Sequence, residues 1–257
     1  MTLHAGFDVP TTAGGPVVGL VPLRSPGTGK SRLSAQLSPQ QRAALSLAML
    51  ADVSAALRSV PLDRVVVAAS GPQTAKCVAA LGLEAVLDPP GDGGLDTAVD
   101  AACRRFPTEV SLLVVMADLP RLRPDDVAAV IGRPEPVVVA PSSDGGTAAL
   151  LRRPPLAIPS AYGTGSAARH LRLAAARGLG VATVDRAGLR HDVDTWADLQ
   201  ALAQGYVGGA TASFLGRLGP RLEVHGRRWL ESSRNGARAG LNVRGLPPPR
   251  PAQPPPR

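Results

Sequence analysis

PVVGLVPLRSPGTGKSRL (16–33), SPQQRAALSLAMLADVSAALRSV (38–60) and RVVVAAS (64–70) decide the fold. The first opens as a short apolar run of Val and Leu and breaks into a loop of Gly, Ser, Arg and Lys. The second carries Leu45, Met49, Val53 and Leu57 at intervals of four, the period of a buried helix face. Ser38 stands where an N-cap belongs, with Pro39 just inside it. The third reads as another buried strand. Strand, loop, helix and strand in this order predict parallel strands covered on both faces.

The alternation continues outward. A helix is expected near 72–81, a strand at LEAVLDP (83–89) and a helix near 95–106. SLLVVMADLP (111–120) begins as a fourth strand, and Pro124 with Asp125 and Asp126 opens a helix. PVVVAPS (136–142) and GLGVATVD (178–185) are later strands. The fold class is therefore α/β: a Rossmann-like three-layer sandwich with a mostly parallel sheet, in one domain over residues 16–218.

Composition narrows the function classes. Of 257 residues, 44% are hydrophobic but only 3% aromatic, so the core is built from Ala, Val and Leu. Scarce aromatics argue against a stacking surface for single-stranded nucleic acid. Cys77 and Cys103 are too few for a disulfide framework or a Cys-rich zinc site. No apolar run approaches the ~20 residues of a membrane span. Residues 1–16 lack the cationic start and apolar stretch of a signal peptide. A cytoplasmic protein without membrane contact is expected.

The formal charge of +8 is unevenly placed. Residues 219–257 hold eight Arg against Glu223 and Glu231, with eight Pro and five Gly, a composition that predicts a disordered basic tail. Residues 1–15 are likewise expected to be disordered. Without the tail the chain carries a net charge of only +2. A basic groove does not follow, and nucleic-acid binding through the Arg-rich tail stands as the alternative from another class.

Open α/β sheets bind ligands beyond the carboxyl ends of their strands. Four loops there carry chemistry. In RSPGTGKSRL (24–33), Gly27 and Gly29 let backbone amides approach a phosphate, Lys30 adds a point charge and Arg32 a fork. The Walker signature is broken, because Arg24 stands where its first glycine belongs. In MADLP, Asp118 follows a strand and suits a divalent cation that carries nucleotide phosphates. SSDGGTAAL (142–150) and AYGTGSAARH (161–170) pair glycines with Thr147, Thr164 and Ser166 as a cradle for a small anion, with Arg169 and His170 one turn further on. In RHDVDTWADL (190–199), Asp192 and Asp194 are two apart, on one face of an extended segment, and repel unless a cation lies between them. Thr195 and Asp198 form the capping box of a following helix.

Together, GKSRLS (29–34), LDTAVDAA (95–102), MADLP (116–120), DGGTAAL (144–150), YGTGSAARH (162–170) and DVDTWADL (192–199) resemble, in order, the guanylyltransferases of coenzyme F420 biosynthesis. That family has a nucleotide-diphospho-sugar transferase-like fold and includes the phosphoenolpyruvate and 2-phospho-L-lactate guanylyltransferases. The resemblance implies transfer of GMP from GTP to phosphoenolpyruvate, 2-phospho-L-lactate or 3-phosphoglycerate, with Mg2+ as cofactor. It assigns Asp118, Asp192 and Asp194 to the metal, and Thr147, Gly163 and Ser166 to the phosphorylated three-carbon acid. Lys30 and Arg32, with Gly27 and Gly29, face the triphosphate. Where the family often carries Asn, this chain has Asp96. The Arg-rich composition leans towards phosphoenolpyruvate by association. The tail has no counterpart in the resemblance, and the next enzyme of the pathway is a candidate partner for it.

Overall fold

The computed structural model describes residues 15–26, 29–87 and 94–219. Residues 1–14, Gly27 and the sequence beyond Gly219 therefore lie outside the described residues, and with them the expected disordered ends. Seven strands form one sheet: β1 (Val17–Leu23), β2 (Arg64–Ala69), β3 (Glu84–Leu87), β4 (Ser111–Val115), β5 (Val137–Pro141), β6 (Thr147–Arg152) and β7 (Val181–Thr183). Their order across the sheet is β3-β2-β1-β4-β6-β5-β7. All pairings are parallel except those of β6, which runs antiparallel to both β4 and β5. The fold is the expected α/β sandwich with a mostly parallel sheet.

The helices are α1 (Pro39–Arg58), α2 (Pro72–Ala80), α3 (Gly94–Cys103), α4 (Pro124–Ile131), α5 (Ser166–Ala176), α6 (Ala187–Arg190), α7 (Trp196–Ala201) and α8 (Gly209–Leu218). The α1 boundary follows from its capping box: the Ser38 hydroxyl accepts from Gln41 N–H, and the Gln41 side chain accepts from Ser38 N–H. Neighbouring strand residues serve opposite faces of the sheet. Val21, Val67 and Leu113 pack with Leu50, Val53 and Leu57 of α1 and Val127 and Val130 of α4. Leu20, Val66 and Leu112 pack with Val99 and Cys103 of α3. Val139 and Leu150 meet Ala167 and Ala174 of α5. None of the described helices is long and apolar enough to cross a membrane.

A fourth cluster positions chemistry. Leu33, Leu45 and Met49 pack with Val193, Leu199 and Phe214. Leu33 lies three residues beyond Lys30, and Val193 lies between Asp192 and Asp194. Burying a valine contributes about 1.5–3 kcal/mol, so Val193 turns inward and its two acidic neighbours turn the other way. The helix α8 that closes this cluster is capped by Asp52, which accepts from Ala210 and Thr211 N–H at 2.9 and 2.8 Å.

One polar group runs against this apolar packing. Arg152, at the end of β6, is fully buried. It donates to Asp100 at 3.1 Å, to the Ile158 carbonyl at 3.0 Å and to Cys103 Sγ at 2.9 Å. Burial pushes the Cys103 thiol up to about 11, so it stays protonated beside the guanidinium. Arg152→Ala leaves the Asp100 carboxylate nearly buried without its cation. The expected loss of unfolding free energy is about 3–5 kcal/mol, to be read from urea denaturation. A loss below about 1 kcal/mol means that the pair acts as a surface ion pair does.

Candidate active site

The carboxyl end of β4 runs directly into Met116, Ala117 and Asp118. Val193 N–H donates to the Asp118 carbonyl at 3.1 Å, which sets the Asp192–Asp194 segment alongside. With Val193 anchored inward, the oxygens of Asp118, Asp192 and Asp194 lie within 4.8 Å of one another. Three half-buried carboxylates at this spacing repel. Burial, followed by the charges of Asp118 and Asp194, pushes the Asp192 carboxyl up to about 6.

Lys30 answers part of this charge. Its Nζ donates to Asp118 at 2.5 Å and to Asp194 at 2.8 Å. Burial works against the ammonium charge, but the two carboxylates outweigh it and hold the lysine above its ordinary value. Lys30 has a φ of 58°, the left-handed region that a side chain rarely adopts. Such a conformation persists only where surrounding contacts over-determine it, here the two ion pairs and the buried Leu33. Lys30, Asp118 and Asp194 form one end of a cavity of about 210 Å³, lined elsewhere by Arg24, Met49 and Leu95 among others.

The donor set fits a hard divalent cation. Carboxylate oxygens are the ligands that Mg2+, Ca2+ and Mn2+ take, and those of the three aspartates converge within 4.8 Å. Asp118, Asp192 and Asp194 are the residues able to hold such an ion.

A second polar cluster surrounds Thr147. Because β6 is antiparallel, its first residue falls on the same sheet edge as Asp118, and Met116 N–H donates to the Ala148 carbonyl at 3.0 Å. The Thr147 hydroxyl lies 2.9 Å from Ser166 Oγ and 3.0 Å from His170 Nδ1. Ala161 N–H donates to His170 Nε2 at 3.0 Å. Nε2 is thus an acceptor, so in the neutral ring Nδ1 carries the proton and donates to Thr147. One hydroxyl proton joins Thr147 to Ser166, and one O–H of the pair remains for another acceptor. Burial, then the charges of Arg152 and Arg169, lowers His170 to about 4.

The structure brings Lys30, Asp118, Asp192 and Asp194 together, and separately Thr147, Gly163 and Ser166. Gly29 has open space at its Cα. Gly27 lies outside the described residues. Arg32 sits exposed in the single 3-10 turn Ser31–Leu33 and makes no hydrogen bond or ion pair among the described residues. Several expectations change. DGGTAAL is not wholly a loop: residues 147–150 begin a strand, whose reversed direction still delivers Thr147 to the expected edge. The helix after YGTG has Gly165 as its N-cap, at a φ of 69°. Arg169 and His170 are not free to serve an anion, since His170 is buried and neutral. Arg169 donates to the carbonyls of Ala161 at 3.0 Å and Tyr162 at 2.8 Å, and also to that of Thr164. Sequence reasoning missed Asp100 and Ser160, 2.6 Å apart. The one available signal was Arg152, an arginine closing an apolar run.

With this geometry in view, comparison with known proteins is specific. A family model described as "Guanylyl transferase CofC like" matches residues 17–233. The phosphoenolpyruvate guanylyltransferase of Sphaerobacter thermophilus is 39% identical over 193 residues, covering 72% of this chain and 92% of that protein. The chain belongs to the CofC-like guanylyl transferase family. The phosphoenolpyruvate guanylyltransferase of Rubrobacter xylanophilus is 38% identical over 196 residues, covering 72% and 93%. In fold, this CofC-like chain is similar to a crystal structure from Desulfovibrio desulfuricans G20 assigned to the nucleotide-diphospho-sugar transferases. That match has a TM-score of 0.60 at 18% identity and covers 73% of this chain and 86% of the other.

The His170 cluster has a signature in pH. Its folded value lies below the ordinary 6.5, so the unfolded chain binds the proton first as pH falls. The stability contributed by neutral His170 is complete above 6.5 and is lost between 6.5 and about 4. Asp192 has the opposite sign, because its raised carboxyl favours the folded state at low pH. Comparison of wild type with His170→Gln cancels the Asp192 term. Between pH 7 and pH 5, wild type is expected to lose about 2 kcal/mol more unfolding free energy than the variant. Parallel losses in urea titrations at the two pH values contradict the assigned tautomer and burial.

Proposed function

We propose that this CofC-like chain is a phosphoenolpyruvate guanylyltransferase. It transfers GMP from GTP to phosphoenolpyruvate, giving enolpyruvoyl-2-diphospho-5'-guanosine and pyrophosphate in coenzyme F420 biosynthesis. The observation that carries this reading is the cluster of Asp118, Asp192 and Asp194, two of which, Asp118 and Asp194, line a cavity together with Lys30, in a chain 39% identical to a protein of that activity.

The chemistry requires no protein nucleophile. A phosphate oxygen of phosphoenolpyruvate, already anionic, forms the new bond to the α-phosphorus of GTP, and the bond from that phosphorus to the bridging oxygen of the β-phosphate breaks. Pyrophosphate leaves with that electron pair, and no proton need move. The obstacle is the approach of two polyanions and the charge that develops on the leaving oxygens. Asp118, Asp192 and Asp194 are proposed to hold Mg2+. When bound, the ion supplies charge neutralisation between the two phosphates and polarises the α-phosphate.

The remaining work falls to the chain itself. Lys30 presents an ammonium beside the carboxylates and, with Arg32 and the amides of Gly27 and Gly29, stabilises the leaving pyrophosphate. Thr147, Gly163 and Ser166 hold the three-carbon acid, the Thr147–Ser166 pair offering its single remaining O–H to an anionic oxygen. Holding both reactants in line supplies the entropic part of catalysis.

The test supplies the full chain with Mg2+ and GTP, and with phosphoenolpyruvate, 2-phospho-L-lactate or 3-phosphoglycerate in turn. Pyrophosphate and the mass of the adduct are measured. Pyrophosphate with phosphoenolpyruvate, abolished by chelation, is expected; none with any of the three acids defeats the reading. Asp192→Asn is expected to lower kcat by about 10²–10³-fold. By relieving carboxylate repulsion, the same change stabilises the metal-free protein at pH 7 by about 1 kcal/mol after solvent screening. A variant of unchanged activity contradicts the assignment of Asp192.

A further inference from the structure

The segment from Ser160 to Gly165 carries Gly163 and leads into Ser166, so it forms one wall of the site proposed for the three-carbon acid. Its amides do not simply point at solvent. Tyr162 N–H donates to Asp96 Oδ1 at 2.7 Å. Ser160 N–H donates to Asp100 at 3.1 Å, and the Ser160 hydroxyl donates to Asp100 Oδ1 at 2.6 Å. Asp96 and Asp100 are four residues apart on α3 and therefore occupy one helix face. Asp100 is itself held by the buried Arg152 guanidinium at 3.1 Å. The carbonyl side of the segment is taken by Arg169, from α5. Two helices thus grip it from opposite polarities, one through its N–H groups and one through its C=O groups.

The grip reaches the other substrate's cavity. Leu95, adjacent to Asp96, lines the cavity that ends at Lys30, Asp118 and Asp194. α3 therefore has one residue at the proposed nucleotide cavity and, from the next position onward, a row of acceptors on the acid-binding segment.

We infer that Asp96 and Asp100 are positioning residues that fix the 160–165 segment for the phosphorylated three-carbon acid, Asp96 acting through the Tyr162 amide rather than through the nucleotide. The inference rests on the proposed guanylyltransferase reading. It gives a role to Asp96 that an Asn could also fill, since both side chains present an Oδ1 that accepts the Tyr162 N–H. Loss of the acceptor leaves the segment to be ordered when the acid binds, which weakens apparent affinity by the fraction of time the competent form is lost.

Steady-state kinetics of the full chain separate this role from a general structural one. Asp96→Ala is expected to raise KM for phosphoenolpyruvate about tenfold, the scale of a lost hydrogen bond to a charged acceptor, while KM for GTP stays within about twofold. Asp96→Asn keeps the acceptor and is expected to return KM for phosphoenolpyruvate to within about threefold of wild type. Ser160→Ala, which removes the hydroxyl's bonds to Asp100 and Arg152 and leaves the Arg152–Asp100 pair in place, produces a smaller rise in the same constant. Equal changes in both KM values, no change in either, or an Asn variant as impaired as the Ala variant overturns the inference. Amide hydrogen exchange across 158–166 supplies a readout independent of turnover: faster exchange in Asp96→Ala but not in Asp96→Asn is expected, and equal exchange in all three proteins overturns the clamp. Wild type that exchanges slowly here yet releases no pyrophosphate defeats the proposed reaction and leaves the clamp standing.

Discussion

Mutual repulsion of Asp118, Asp192 and Asp194 is the constraint around which the site is arranged. Their ligand atoms lie within 4.8 Å of one another, a spacing that raises the free energy of the folded chain at neutral pH. Apolar packing holds them there: the buried strand β4, apolar from Leu112 to Val115, delivers Asp118, and Val193 is buried between its two acidic neighbours. The ammonium of Lys30 relieves the repulsion in part, and its left-handed backbone is a second local cost accepted at the same place. Strain and like charge concentrated at one strand edge are the marks of a site shaped for ligands rather than for stability.

The reversed strand β6 connects the two halves of the site. In a fully parallel sheet, the start of a strand lies at the edge opposite its neighbours' carboxyl ends. By running against β4 and β5, β6 brings Thr147 to the edge where Asp118 emerges. The same reversal carries Arg152 to the far end of the strand and beneath α3, where it holds Asp100. One topological departure thus places the Thr147 hydroxyl at one end of a six-residue strand and the Arg152 guanidinium that holds Asp100 at the other.

Much of this was legible in the sequence. The four-residue spacing of Leu45, Met49, Val53 and Leu57, the Val-rich runs and the Ser38 and Thr195 caps are local signals, and the elements they specify are present. Asp192 and Asp194 were legible as a same-face pair because a period of two is also local. The direction of β6 was not, since the apolar run Ala148–Leu151 has no polarity of its own and the preceding SSDGG (142–146) suits a tight reversal and a longer loop alike. Nor was the fate of the polar residues in YGTGSAARH. Arg169 and His170 look like anion ligands until the carbonyls and amides of Ala161 and Tyr162, brought close by chain reversal, are seen to take their hydrogen-bonding groups. Asp96 and Asp100 show the same limit, because their partners lie 52 or more residues away.

The two halves of the site therefore differ in physical character. Around Thr147 the polar groups largely satisfy one another: His170 is fixed between Ala161 and Thr147, Arg169 is spent on three carbonyls, and the Ser160 and Tyr162 amides are met by carboxylates. Such a network adds stability and rigidity in the absence of ligand. Around Asp192 the balance is reversed, with burial and neighbouring charge opposing ionisation and Lys30 pairing with Asp118 and Asp194 but not with Asp192. A cation arriving there removes a penalty that the fold already carries, so its binding is coupled to stability at that end of the site alone. The Thr147 end has little such penalty to relieve, because α3 and α5, through Asp96, Asp100 and Arg169, already meet the backbone N–H and C=O groups of the 160–165 segment.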